Sequence, residues 1–382
     1  MADKCFGRRC LLFLGTLTCT LVLRSPAAHA IMPDDPGAAA IQFTLNSGQD
    51  VKSISPWIYG SNSTSIANRT FDRSGGNRTT GYNWENNASN AGSDWYHHSD
   101  YGMANNQSNA PPGSAVRGMI QNAATAGRAS LVTIPMAGYV AADGNGTVDE
   151  TEVAPSPRWK KIEAKKSNIY PGSSLSITPD KNDGYVFTDE FVNWAEDFKQ
   201  DGQQVWYSLD NEPGLWGEAL PAGWQSGDEP RPWENPPYPG VPASSGGRTH
   251  PLIHPSAPTF TEMRDKSIAH ASAIKDVNPN ALVFGGVGYG WNEFTTMQGA
   301  PGALSSPSHP GGDQSGEMNY NEYLLQQVRN AEIAQDRKLM DVLDLHWYPE
   351  AQGGGIRITE NNNSSAVVAA SSRCSPARSS DR

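Results

Sequence analysis

The chain has 382 residues, 37% of them hydrophobic, and a formal net charge of −11. That length allows one large domain with a partial second one. The acidic balance, with lysine and arginine spread along the chain, argues against nucleic acid or an anionic membrane surface as partner.

Residues 1–30 read as a signal peptide. Lys4, Arg8 and Arg9 make a positive start, residues 11–23 are apolar, and Ala28-His29-Ala30 offers small residues around a cleavage point. The apolar run is too short for a membrane span, so the expectation is secretion, by ordinary export or, given Arg8-Arg9, by the twin-arginine route. Cys5, Cys10 and Cys19 fall in this segment and leave Cys374 alone in the mature chain, which excludes an internal disulfide. Residues 31–54 form a separate N-terminal segment. Within it Ile41-Gln42-Phe43-Thr44-Leu45 alternates with period two, as a strand of a sheet outside the main domain would.

From residue 55 to 370, strand and helix patterns alternate. Strands are expected at 57–59, 70–73, 130–134, 204–209, 281–284 and 342–345. Helices are expected at 115–126, stopped by Gly127, at 188–198 with Thr188 as N-cap, and at 260–277 and 320–335. Such alternation implies an α/β fold whose parallel sheet is joined by helical crossovers, a barrel with its chemistry at the C-terminal strand ends. About six barrel strands are legible, whereas closure needs eight. Residues 371–382 read as an irregular tail, so the barrel is expected to be incomplete at its C-terminus.

The densest chemical signal is Val205-Trp206-Tyr207-Ser208-Leu209-Asp210-Asn211-Glu212-Pro213-Gly214. A β-branched and aromatic run ends in polar and acidic residues and breaks at Pro-Gly. Glu212 there suits a general acid/base for glycosidic bonds, which retaining hydrolysis pairs with a second carboxylate roughly 5 Å away. Asn211 suits a sugar hydroxyl. The bland alternative is a structural acid at a strand end.

Two further clusters accompany it. Tyr82, Trp84 and Trp95 stand among asparagines and glycines in 73–95, as a cleft wall that stacks sugars, or else as aromatic anchors of a surface loop. Leu343-Asp344-Leu345-His346-Trp347-Tyr348-Pro349-Glu350 is another strand with a polar and aromatic end, where His346 and Tyr348 share a face. His346 could orient a carboxylate, contact sugar, or be a satisfied structural group. The 11 Trp and 13 Tyr fit the apolar faces of sugars. No metal site is expected to take part in the chemistry and no cofactor is required. Asp143-Gly144-Asn145-Gly146-Thr147-Val148-Asp149-Glu150 could hold calcium as a structural ion, but it lacks the EF-hand spacing and reads better as a solvated acidic loop.

At Arg73-Ser74-Gly75-Gly76-Asn77, Thr80-Gly81-Tyr82-Asn83-Trp84-Glu85, Ser208-Leu209-Asp210-Asn211-Glu212-Pro213 and Asp344-Leu345-His346-Trp347-Tyr348-Pro349-Glu350, the chain resembles glycoside hydrolase family 44, the endoglucanases and xyloglucanases. Ser89-Asn90-Ala91-Gly92-Ser93-Asp94-Trp95 and the run 131–140 extend the resemblance over most of residues 40–370. It implies a (β/α)8 TIM barrel with an accessory β-sandwich to which residues 31–54 contribute a strand. It also implies retaining endo-hydrolysis of β-1,4-glucans, with xyloglucan often preferred, and Glu212 in the acid/base position. The family's nucleophile is a glutamate on the seventh strand. Ile358-Thr359-Glu360 follows Glu350 too closely for a parallel crossover of a dozen or more residues. Glu360 is therefore read as a loop residue, and the nucleophile strand is expected beyond Arg382, with the reading frame broken near residue 370. Alternatives are a barrel glycosidase acting on xylan or mannan, and a non-catalytic glucan-binding fragment.

Overall fold

The computed structural model describes residues 46–49, 51–62, 66–217, 253–254, 258–290, 319–347, 352–353 and 356–357. The signal peptide expected at 1–30, the strand expected at 41–45, Tyr348, Glu350, Glu360 and residues 371–382 lie outside these. The chain divides into a unit of residues 1–50 with 349–382 and a unit of residues 51–348. In the first, the described residues form a turn closed by Gln49 N donating to Asn46 O, and an antiparallel pairing of Gln352–Gly353 with Ile356–Arg357.

The second unit is built on β1 (Gly60–Ser61), β2 (Phe71–Ser74), β3 (Ala129–Ile134), β4 (Val205–Leu209), β5 (Val283–Gly288) and β6 (Val342–Leu345). They form one sheet in the order β1-β2-β3-β4-β5-β6, and each neighbouring pair is parallel. Strands that pair in chain order, with a helix packed on one side after each turn, wind a sheet one way around and curl it. The curl can be measured. Arg73 Nη2 on β2 lies 3.0 Å from His346 Nε2, just past β6. Four inter-strand spacings in a flat sheet would set those backbones roughly 19 Å apart, beyond the reach of the two side chains. The architecture is that of an incomplete (β/α) barrel.

The helices are α1 (Asn77–Thr80), α2 (Ser114–Thr125), α3 (Thr188–Phe198), α4 (Phe260–Val277) and α5 (Tyr320–Gln335). On α2, Val116, Ile120 and Ala123 repeat on one face and are buried. The helix stops as its glycine predicts: Gly127 takes φ +65° and Arg128 N turns back to Ala123 O at 2.8 Å. Thr188 is not an N-cap. Phe187 holds that position, and Thr188 is the first helical residue, its hydroxyl 2.9 Å from His270 Nδ1 on α4.

Alternation along the strands separates two cores. On β2, Asp72 points outward to Arg128, 3.0 Å away, while Phe71 and Arg73 point inward. Inside the curl, Phe71, Ala129, Leu131, Trp206 and Phe284 pack together, and Trp57 meets Trp206 edge-on at 4.9 Å. Outside it, Val132, Ile134, Val205, Tyr207 and Leu209 join the larger core with the helices. Trp57 thus lies in a 3-10 turn, Pro56–Ile58, rather than in the expected strand, because Pro56 opens the turn and Ser55 accepts from Trp57 N.

The strand expected at 281–284 is shifted to 283–288, so the glycine run is the strand itself. A bulge against β6 falls between Gly286 and Gly288, with Gly286 at φ +90°. A Cβ at Gly286 would meet Leu343 Cδ1 at 3.1 Å and Asp344 O at 3.2 Å. Gly286→Ala is therefore expected to cost about 1–2 kcal/mol in chemical denaturation, for left-handed backbone alone. An unchanged midpoint would show that the bulge relaxes without cost.

Between β3 and α3 the chain makes an excursion that the sequence pattern did not resolve. Three of its strands, Tyr139–Ala141, Trp159–Glu163 and Tyr185–Phe187, make a three-stranded sheet. Lys160 from this sheet donates to Glu85 Oε2 at 2.7 Å and lies 3.4 Å from Asp183. Burial raises the Glu85 carboxyl from 4.5 to about 7, outweighing the pull of Lys160, and burial likewise raises Asp189 from 3.8 to about 6. Both folded values exceed the unfolded ones. Their stability contribution is full below the unfolded values and is lost as pH rises through about 6 and 7. Thermal unfolding is expected to show a declining Tm between pH 4.5 and 7, with a shallower slope in Glu85→Gln. An equal slope in the variant would remove Glu85 as the cause.

Candidate active site

The C-terminal ends of β2, β3, β4, β5 and β6 converge on one face, where barrel enzymes place their chemistry. β4 is buried on both faces throughout, so its end is rigidly held. Beyond Leu209 the backbone turns sharply, with Asp210 at φ +68° and Glu212 at φ +48°. Left-handed backbone is costly for such side chains unless the surroundings fix it. They do here. Glu212 N donates to Val287 O at 3.0 Å, which the β5 bulge presents, and Leu215 N closes the Pro213–Leu215 turn onto Glu212 O at 2.9 Å.

Asp210 is fully buried and anchors the turn. Its Oδ1 accepts from Thr80 Oγ1 at 2.7 Å and Asn211 N at 2.7 Å, and its Oδ2 accepts from Met136 N at 2.6 Å. Burial pushes this carboxyl above the usual range, while those three hydrogen bonds favour its charged form. Asn211 Oδ1 accepts from Gly76 N at 3.2 Å, tying β4 to the loop after β2.

Glu212 is 7% exposed, and its Oε1 lies 2.7 Å from His346 Nδ1. His346 is held in turn by backbone: its N donates to Gly288 O at 2.9 Å, and its O accepts from Gly290 N at 3.1 Å. Arg73 Nη2, 3.0 Å from His346 Nε2, also lies 3.9 Å from Asp344 Oδ2. The structure thus brings together three of the residues singled out in the sequence, Asn211, Glu212 and His346. It adds Arg73, Asp210, Thr80 and Asp344. Arg73 carried one legible signal, an arginine alternating with Asp72 on a strand.

Tyr82 and Trp84 are not cleft-wall residues. Trp84 is 1% exposed and stacks on Phe191 at 5.5 Å and 12°, with Trp194 at 6.0 Å. Tyr82 is 2% exposed and donates its hydroxyl to Asn87 Oδ1 at 2.8 Å. Both rings cover the apolar face of α3, whose Phe191, Val192 and Trp194 need burial more than a solvated loop needs ring platforms. Trp95 stays half-buried on the turn Gly92–Trp95, with its ring 5.3 Å from that of Tyr96. Tyr348 lies outside the described residues.

The acidic loop at 143–150 is tied up by the protein itself. Asp143 accepts from Arg158 Nε at 3.1 Å, and Asp149 caps the turn Glu150–Glu152. Among the described residues no group of three or more His, Cys, Asp or Glu is gathered to hold a metal ion. Hydrolysis of a glycosidic bond by carboxyl groups requires no cofactor.

A model of glycoside hydrolase family 44 matches residues 88–351. Endoglucanase A of Paenibacillus lautus is 40% identical over 345 residues, 86% of this chain and 43% of that protein. The β-mannanase/endoglucanase A of Caldicellulosiruptor saccharolyticus is 37% identical over 348 residues, 87% of this chain and 23% of that protein. A family 44 xyloglucanase of Paenibacillus polymyxa superposes with a TM-score of 0.65 at 39% identity, over 81% of this chain and 55% of that one. Its structure with xyloglucan gives 0.64 at 38% identity, over 81% of this chain and 54% of that one. The chain thus spans less than half the length of the curated relatives it matches. A family match over two thirds of its residues, relatives near 40% identity and a curled parallel sheet all agree, and the chain belongs to glycoside hydrolase family 44.

Proposed function

We propose that this chain is a secreted, retaining endo-β-1,4-glucanase that acts on cellulose-type glucans or xyloglucan, with Glu212 as its general acid/base. The observation behind this reading is Glu212 at the C-terminal end of β4, nearly buried and 2.7 Å from His346. Glu212 would protonate the leaving glycosidic oxygen and then, as carboxylate, take the proton from the water that releases the sugar. The relatives' names support the substrate class, as does the xyloglucan complex of the P. polymyxa enzyme. Asn211, Trp95 and Tyr348 are proposed substrate contacts. The leader-like residues 1–30 support export.

Retention needs a second carboxylate roughly 5 Å from the acid. Of the acidic side chains near Glu212, Asp210 accepts three hydrogen bonds and Asp344 faces Arg73. The nucleophile is therefore to be sought outside the described residues. That same observation favours a second reading, glucan binding without hydrolysis. The deciding experiment measures release of reducing ends from carboxymethylcellulose, xyloglucan, xylan and mannan by the chain and by Glu212→Gln. Activity on the glucans that the substitution abolishes supports the first reading. Glucan binding by folded protein without hydrolysis supports the second, and activity confined to xylan or mannan overturns the substrate.

A further inference from the structure

Arg73 is a guanidinium, charged at every accessible pH, with donors only and no acceptor. Its Nη2 lies 3.0 Å from His346 Nε2, so the ring nitrogen facing it must offer a lone pair. The proton of the neutral imidazole then sits on Nδ1, which points at Glu212 Oε1 from 2.7 Å. Among the described residues, the charged groups that face this ring include Glu212 after β4, Arg73 on β2 and Asp344 on β6, and Asp344 lies 3.9 Å from the same Nη2.

We propose that Arg73 is a positioning residue that acts through His346: it fixes the imidazole as the Nδ1–H tautomer and so keeps the acid's proton on Oε2 of Glu212. The proposal rests on the reading of Glu212 as acid/base. With Nδ1–H donating, Oε1 can only accept, and the carboxyl proton must reside on Oε2 for delivery to a glycosidic oxygen. In the other tautomer Nδ1 would be a bare acceptor 2.7 Å from Oε1. The imidazole would then draw that proton toward itself and away from the leaving group. Arg73 thus decides which way the hydrogen bond between His346 and Glu212 runs, through the ring that stands between them. Its position is built for that end: β2 places it inward above Phe71, and only the curl of the sheet brings it to a residue 273 positions away.

The test is nitrogen NMR of the full chain with labelled histidine at neutral pH. His346 is assigned by its loss in His346→Gln. The expected native signal is Nδ1 protonated and Nε2 unprotonated. Arg73→Met, which removes every donor, is expected to lose that signature to a Nε2–H population, while buried His270 stays unchanged as a report on folding. Arg73→Lys, which keeps a donor, is expected to retain it. In xyloglucan hydrolysis Arg73→Met should lower kcat by about tenfold with little change in KM. A native Nε2–H signal overturns the proposal even if no variant folds. So does an unaltered tautomer in folded Arg73→Met, or a loss confined to KM. Failure of the acid/base reading would appear separately, as glucanase activity that survives Glu212→Gln.

Discussion

Glu212→Gln is expected to lower kcat on xyloglucan by about 10²–10⁴-fold, the usual worth of a positioned general acid. The amide matches the carboxyl in size, and its oxygen can still accept from His346 Nδ1, so the site should keep its shape. What is lost is the proton, and the loss should therefore depend on the leaving group. A polymeric glucan leaves as a poor alkoxide and needs protonation. An aryl β-cellobioside with a strongly acidic phenol does not, so its glycosylation step should suffer far less in the variant. Deglycosylation should slow as well, because the same residue acts as base toward water, and a small anionic nucleophile such as azide should restore it. Equal losses on both substrates would point to a structural role for Glu212. Full activity on xyloglucan would remove it from the reaction.

The second large effect concerns Trp84. As a core residue stacked on Phe191 and tilted against Trp194 it should cost about 3–5 kcal/mol when cut to alanine. Were it a sugar platform, Trp84→Ala would weaken glucan binding and leave the denaturation midpoint nearly unchanged. The two outcomes are separated by measuring chemical denaturation together with binding per folded molecule. The expected result is a large drop in stability with binding retained in the folded fraction. Trp95→Ala is the natural companion, since that ring is half-buried and its removal should be felt less by the fold.

These residues mark where the sequence was readable. β4 could be placed to within a residue because both its faces are buried, which leaves an unbroken apolar run that Asp210-Asn211-Glu212-Pro213 ends abruptly. The helices α2, α3, α4 and α5 were equally plain, each carrying an apolar stripe between polar faces. Trp57-Ile58-Tyr59 misled because β-branched and aromatic residues favour strands, yet Pro56 and Ser55 set a turn there. Trp84 misled for a different reason. Rings among asparagines and glycines suit a cleft wall and a buried anchor alike, and only the partner helix, a hundred residues on, decides. The strands of the 139–187 excursion run to between two and five residues, too short for any period to show. His346 was legible as a strand-end residue that could orient a carboxylate, but which carboxylate it meets was not. Arg73 was quoted in a motif without a role, because its role depends on how far the sheet bends.

That bend has a consequence for the order in which the protein matures during synthesis. Glu212 and His346 are separated by 134 residues, which a ribosome adding about 5–20 residues per second needs roughly 7–27 s to supply. Throughout that interval Glu212 exists without the imidazole that pairs with it, while β2, β3 and β4 can already pair. A nascent chain stalled before residue 346 should then hold most of the inner aromatic core and still lack an oriented acid. The pairing of Glu212 with its imidazole arrives with the docking of β6, late in synthesis.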